Sequence, residues 1–297
     1  MFWVFSKSIG DALKKLEYNK LTEIRIRNSK PVKILYDDKW GYLGFCGFTS
    51  CKTKAIISRD NEAQYIAISA SENSLYSVYD NIARGFLTLK NGCRIGLCGE
   101  AVTEKGELRT FKNFSSATIR IPHEINGSSN KFIYRILDKS SIKNTLIISP
   151  PGGGKTTVLR DLAKELSERF NVVIIDERFE MSAPRNGVSS FNVGESDVIC
   201  GCKKNTAIEN AVRSCAPDII ITDEISSDDY QIIRQAVSSG VKVISSIHSS
   251  SIDNLLKKPN FEKFFSNKIF DLFIVLEGRD NPGKCVGIFD ENFNRIE

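Results

Sequence analysis

The run Ser149-Pro150-Pro151-Gly152-Gly153-Gly154-Lys155-Thr156-Thr157 follows the apolar stretch TLIIS and opens a segment of helical periodicity. Three consecutive glycines let backbone N–H groups curl around an anion, and a helix start adds the positive end of its dipole. Lys155 is a mobile point charge suited to β- and γ-phosphate oxygens, and the Thr156 hydroxyl is suited to Mg2+. The chemistry is the binding of a magnesium-complexed nucleoside triphosphate on a P-loop. The usual first glycine of such a loop is Ser149 here, a small departure because the closest phosphate approach lies later.

Two acidic pairs stand at the ends of apolar runs. In Asp218-Ile-Ile-Ile-Thr-Asp223-Glu224 the pair should face the phosphates, because ligands of a parallel sheet gather at the strands' carboxyl ends. Asp223 is suited to the Mg2+ shell and Glu224 to orienting or deprotonating an attacking water. VVIID ends in Asp176-Glu177-Arg178, which offers Asp176 as a further metal ligand and Glu177 as a rival catalytic base. Helix capping or a surface ion pair would account for the same two residues. His248 closes the run VISSIH and is expected at the same sheet edge, where its donor could report nucleotide state.

These residues need a scaffold, and the sequence supplies one beyond residue 128. TLIIS, a helix from Lys155, VVIID, a helix over 206–215, DIIITD, a helix over 229–239 and VKVISSIH alternate as β and α. Near-continuous apolar strands separated by amphipathic helices predict an α/β domain with a mainly parallel sheet covered on both faces. Before it, residues 1–127 read as a smaller α+β domain. Ile9, Leu13 and Leu16 recur at helical spacing, TEIRIR puts Ile24 and Ile26 opposite Arg25 and Arg27, and ATIRIP is a further strand. Asn91-Gly92 predicts a β-hairpin over 86–98. The polar stretch Asn126 to Asn130 is the expected linker, with the boundary near Ser128, so that 128–297 form the nucleotide-binding domain.

The composition, 41% hydrophobic and 26% charged over 297 residues, is that of a globular chain with core enough for two modest domains. A net charge of +5 is too mild to demand a nucleic-acid partner. Eight cysteines without a regular framework read as reduced thiols of a cytosolic protein. Cys200 and Cys202 stand closer than zinc ligands usually do, so structural thiols are expected. No run approaches the ~18 apolar residues of a membrane span, and action at a membrane would require partners.

Taken in order, SPPGGGKTTVLRDLA, IIDERFE, RSCAPDIIITDEI and SSIHSS resemble the Walker A, acidic box, Walker B and His box of the stage III sporulation protein AA family. That family is related to type II and type IV secretion ATPases. EIRIRNSKPV, GFLTLKNGCRIGLCGEAV and SATIRI extend the resemblance over most of the chain. It implies a RecA-like domain, ATP as the nucleotide with Mg2+, and a ring-shaped homo-oligomer, a hexamer. It also implies membrane-embedded channel partners between mother cell and forespore, and a cytoplasmic location peripheral to that complex. Where relatives carry Arg-Thr-Asp-Val, this chain has Glu195-Ser-Asp-Val198, which puts a trans-acting arginine there in doubt. Arg213 and Arg178 remain candidates for sensing phosphate from within or across a subunit boundary, and an ordinary structural ion pair would account for either. A competing expectation is a single-strand-binding ATPase using Arg25, Arg27, Arg94 and Arg120, against which stands the lack of evident aromatic partners.

Overall fold

The Ile/Arg alternation of TEIRIR becomes β1 (Leu21–Arg27), the centre of an antiparallel sheet with β2 (Lys33–Tyr36), β3 (Lys39–Gly44), β4 (Gly47–Thr49), β5 (Leu87–Thr88), β6 (Arg94–Glu104) and β7 (Glu107–Arg120), ordered β4-β3-β2-β1-β7-β6-β5. The computed structural model describes residues 1–71, 87–89, 92–104, 106–123, 125–138, 141–182, 184 and 187–297. They divide into two units, Met1–His123 and Glu124–Glu297.

In the first unit, α1 (Lys7–Leu13) and α2 (Glu62–Ala70) supply Ile9, Leu13 and Ile66 to a core with Ile24, Ile26, Ile34, Ile95 and Ile119. The expected hairpin is present as β5 paired with β6, although Asn91 lies outside the described residues. The long β6–β7 pairing beyond it was not foreseen. Its outer half, from Glu100 to Lys112, is largely exposed and lacks the apolar alternation by which strands are recognised.

The face opposite Ile24 and Ile26 is basic. Arg25 stands across from Lys33 on β2 and Thr118 on β7, while Arg120 stands across from Glu23 and Arg94. Aromatic partners are present after all. The Arg25 guanidinium and the Lys33 ammonium each lie 4.8 Å from the Trp40 ring centroid, and Tyr42, two residues along β3, pairs with Lys33. Residues 1–123 carry 19 Lys and Arg against 12 Asp and Glu, whereas 124–297 carry 22 against 24, so the chain's positive excess resides in the first unit.

The second unit begins with α3 (Asn130–Ile136) and a small pair, β8 (Leu137–Asp138) with β9 (Ser141–Ile142). Then come β10 (Thr145–Ser149), α4 (Lys155–Ser167), β11 (Val172–Asp176), β12 (Asp197–Cys200), α5 (Lys204–Ser214), β13 (Ile219–Glu224), α6 (Tyr230–Ser238) and β14 (Lys242–His248). Two short helices, α7 (Ile252–Leu256) and α8 (Glu262–Ser266), precede β15 (Leu272–Leu276) and β16 (Cys285–Asp290). The sheet order is β12-β11-β13-β14-β10-β15-β16, parallel except for the last pair.

Every residue of β10, β11 and β15 is buried, as a sheet covered on both faces requires. One face packs on Ile208, Ile233, Phe264 and Phe270, the other on Leu159, Leu162 and Leu166 of α4. β14 lies between β10 and β13, with Ser149 beside His248 and Glu224 beside Ser246. The P-loop strand and the acidic strand are thereby held one strand apart, with the histidine between them.

The polar stretch expected as a linker is tied down. Asp161 of α4, itself buried, accepts hydrogen bonds from Gly127 N (3.2 Å), Ser129 N (2.7 Å) and Ser129 Oγ (2.7 Å). A buried carboxylate satisfying three donors cannot be removed without orphaning them. Asp161→Ala should cost about 1–3 kcal/mol and lower the melting temperature by several degrees. An unchanged melting curve would mean that Asp161 does not secure residues 127–129.

Candidate nucleotide-binding site

The P-loop leaves β10 at the buried Ser149 and enters α4 at Lys155. Gly152 and Gly154 have φ of +81° and +88°, which glycine adopts without penalty. Gly153 is required for space, since a Cβ there would fall 1.8 Å from Ser149 Oγ and 2.4 Å from the Glu277 carbonyl oxygen. Ser149 Oγ lies 3.0 Å from the Pro150 carbonyl and 3.2 Å from that of Glu277, sharing its proton between them. Gly283 N donates to the Gly153 carbonyl at 2.9 Å. The turn between β15 and β16 therefore braces the loop.

Lys155 is almost fully buried. Its Nζ donates to the carbonyls of Ser149 (3.2 Å) and Pro150 (3.4 Å) and stands 2.6 Å from His248 Nδ1. An ammonium has no acceptor, so Nδ1 supplies the lone pair and the ring proton resides on Nε2. That nitrogen faces Glu224 Oε2 at 3.1 Å. Lys155, His248 and Glu224 form one directed chain of hydrogen bonds. Burial lowers the Lys155 pKa from its ordinary value, opposed by the charges of Glu224, Asp223 and Glu180.

A cleft of about 470 Å³ opens over this chain, lined by the P-loop from Pro151 to Thr157 apart from Gly153, and by Asp223, Glu224, His248 and Arg178. Arg178 Nη1 lies 4.0 Å from Glu224 Oε2. Glu180 and Pro282 line the same cleft without having been picked from the sequence.

Ser149, Pro150 and Gly153 shape the loop without lining the cleft, and outside the loop Asp176, Glu177 and Arg213 do not reach it. Asp176, proposed as a metal ligand, spends its buried carboxylate on its own loop, accepting from the N–H groups of Glu180 (2.7 Å), Met181 (3.2 Å) and Ser182 (2.9 Å) and from Ser182 Oγ (2.9 Å). Glu177, proposed as a base, faces Lys204 Nζ at 3.5 Å. Arg213 forms an exposed i,i+4 pair with Glu209 at 2.7 Å on α5. The acid delivered to the cleft is Glu180, because the turn closed by Asp176 carries the chain back over the sheet edge. Cys200 and Cys202 carry free thiols, and among the described residues no cluster of His, Cys, Asp and Glu is arranged as a metal site.

The model of the family described as sporulation stage III, protein AA, matches residues 4–296. The chain belongs to that family. It is 31% identical over 302 residues to stage III sporulation protein AA of Bacillus subtilis (strain 168), an alignment covering 98% of this chain and 94% of that one. Its structure is similar to that of the pilus retraction motor PilT with bound ADP, with a TM-score of 0.58 at 15% identity, covering 89% of this chain and 76% of that one. It is also similar to the Legionella pneumophila ATPase DotB, with a TM-score of 0.56 at 14% identity, covering 89% and 74%. At these identities the likeness is one of fold, a RecA-like P-loop domain preceded by a smaller α+β unit. No helix among the described residues is long and apolar enough to cross a membrane.

The acids of the cleft are short of positive charge. Burial, then the charges of Glu180 and Asp176, push the Asp223 carboxyl up to about 6, against the pull of Lys204. A hard cation beside Asp223 and the Thr156 hydroxyl would relieve this, and a set of oxygen donors suits Mg2+. Without such a cation the sign of the stability effect follows directly. Unfolded, Asp223 titrates near 3.8; folded, near 6. Below the lower value both states are protonated and nothing is lost, whereas above the upper one the folded chain holds a charge that burial opposes. Asp223→Asn should therefore stabilise the nucleotide-free, metal-free protein by roughly 1–3 kcal/mol near neutral pH and leave it unchanged at about pH 3. Equal melting shifts at both pH values would assign the effect to packing instead.

Proposed function

We propose that this chain is an ATP-hydrolysing motor of the secretion-ATPase type. The observation that carries the reading is the meeting, in one cleft at the carboxyl edge of the sheet, of Lys155 and Thr156 with Asp223, Glu180, Glu224 and His248. The P-loop amides from Gly152 to Thr157 and Lys155 hold the β- and γ-phosphates. Thr156 and Asp223 hold Mg2+, which when bound neutralises developing charge on the phosphate oxygens.

In the reaction, water attacks the γ-phosphorus, the bond to the bridging oxygen of ADP breaks, and a carboxylate takes the water's proton. Glu180 and Glu224 both line the cleft; we take Glu180 as the base, with Glu224 facing His248 as the alternative. Glu224 and His248 then read whether Lys155 has turned toward phosphate. ATP as the nucleotide follows the family resemblance and the ADP-bound pilus motor. So does assembly into a hexameric ring. In the cell the motor would work on the cytoplasmic, mother-cell side of a secretion or feeding channel, docked to membrane-embedded components.

Steady-state ATP turnover tests the reading. Lys155→Ala should abolish turnover and weaken Mg-ATP binding. Glu180→Gln should keep binding and lower kcat by about 10²- to 10⁴-fold, with Glu224→Gln the milder of the two. Full activity in Lys155→Ala would sink the proposal, and a larger loss in Glu224→Gln would move the base to that residue.

A second reading has one observation in its favour. The basic sheet face of the first unit carries Trp40 beside Arg25 and Lys33, the pairing of aromatic and cation that single-strand binders use. On this reading the chain is a nucleic-acid-stimulated ATPase. It expects salt-sensitive binding of a single-stranded oligonucleotide, weakened about tenfold or more by Trp40→Ala. Absence of binding at low salt would remove it.

A further inference from the structure

The segment that delivers Glu180 is held in a conformation it would not choose alone. Phe179, immediately before it, has φ of +57°, a left-handed value that a bulky side chain rarely adopts. Such a residue persists where its surroundings over-determine it, and here they do. Gly201 leaves room for the Phe179 ring, which a Cβ at that glycine would meet at 2.8 Å. Asp176 takes the N–H groups of residues 180–182 from one side. From the other side comes Arg160.

Arg160 lies five residues after Lys155 on α4 and is only 7% exposed. Its Nε donates to the Met181 carbonyl at 2.7 Å and its Nη2 to the Glu180 carbonyl at 2.9 Å, while the guanidinium carbon sits 3.7 Å from the Phe191 ring centroid. The Glu180 peptide is thus gripped at both ends, its N–H by Asp176 and its C=O by Arg160. The second grip originates on the helix whose first turn is the phosphate loop. We propose that Arg160 is a positioning residue for Glu180, coupling the P-loop helix to the placement of the hydrolytic carboxylate. The inference rests on the reading of Glu180 as the base in ATP hydrolysis.

A guanidinium fork can serve two carbonyls at fixed spacing and stack on a ring, whereas a lysine ammonium can reach one carbonyl and restore the charge alone. The test uses the full chain carrying Arg160→Lys, Arg160→Met and each of these combined with Glu180→Gln. The measurements are single-turnover hydrolysis of Mg-ATP, binding of a fluorescent ATP analogue, and thermal melting. Arg160→Lys should melt cooperatively, bind the analogue within about twofold of the parent, and hydrolyse about 10- to 100-fold more slowly, with Arg160→Met slower still. In the Glu180→Gln background the Arg160→Lys change should add no more than about twofold, as expected of residues acting through one another.

An undiminished rate in folded Arg160→Lys would overturn the proposal, as would an equal proportional loss in both backgrounds, which would make Arg160 structural only. Were Glu180→Gln itself fully active, the reading of Glu180 would fall and the proposal with it, an outcome distinguishable because it appears without any change at Arg160.

Discussion

One ammonium group governs the arrangement of the second unit. Lys155 is buried where two backbone carbonyls, an imidazole nitrogen and the field of three carboxylates converge. A lysine taken out of water tends to lose its charge unless such partners retain it, and the carboxylates in turn need a cation nearby. The strand order answers both needs. Inserting β14 between β10 and β13 puts an imidazole between lysine and glutamate, and the buried strands bring all three to one edge. The apolar sheet is what lets a few polar groups at its rim interact strongly, because it excludes the water that would screen them.

The carboxylates at that rim divide into two trades. Asp176 is fully satisfied by its own loop and shapes backbone. Asp223 is nearly as buried, and burial with the nearby Glu180 and Asp176 charges raises its pKa. Both stand at the end of an apolar strand and both precede a glutamate, so their sequence contexts are nearly interchangeable. What separates them is the chain that follows, which folds back over Asp176 and leaves Asp223 open to the cleft.

This explains what was legible beforehand. The βαβ alternation, the P-loop, the acidic strand and His248 rest on periodicity and fixed spacing, and the elements lie within a residue or two of where the sequence put them. The Glu180 position was hidden because it depends on a strained turn at Phe179 and on the distant grip of Arg160, neither of which leaves a local pattern. Arg213 lies outside the cleft of its own chain for a related reason. Helical phase places it beside Glu209, facing out, so nearness in sequence to the acidic strand does not bring it to the cleft. In the first unit, Arg25 and Arg120 were expected on one face. Trp40 was missed as a neighbour of Arg25 because it stands on β3, two strands away across the sheet.

The bracing of the P-loop by the last hairpin bears on how the chain acquires function as it is made. The nine-residue signature from Ser149 to Thr157 is closed by Glu277 and Gly283, partners more than 120 positions downstream. The loop is therefore no portable cassette. A nascent chain still attached to the ribosome with residue 270 at the exit would have every signature residue outside and no braced anion cage. Bracing of the loop therefore waits on β15 and the turn that follows it, and the loop cannot take its closed shape before that distant part of the chain has joined the sheet.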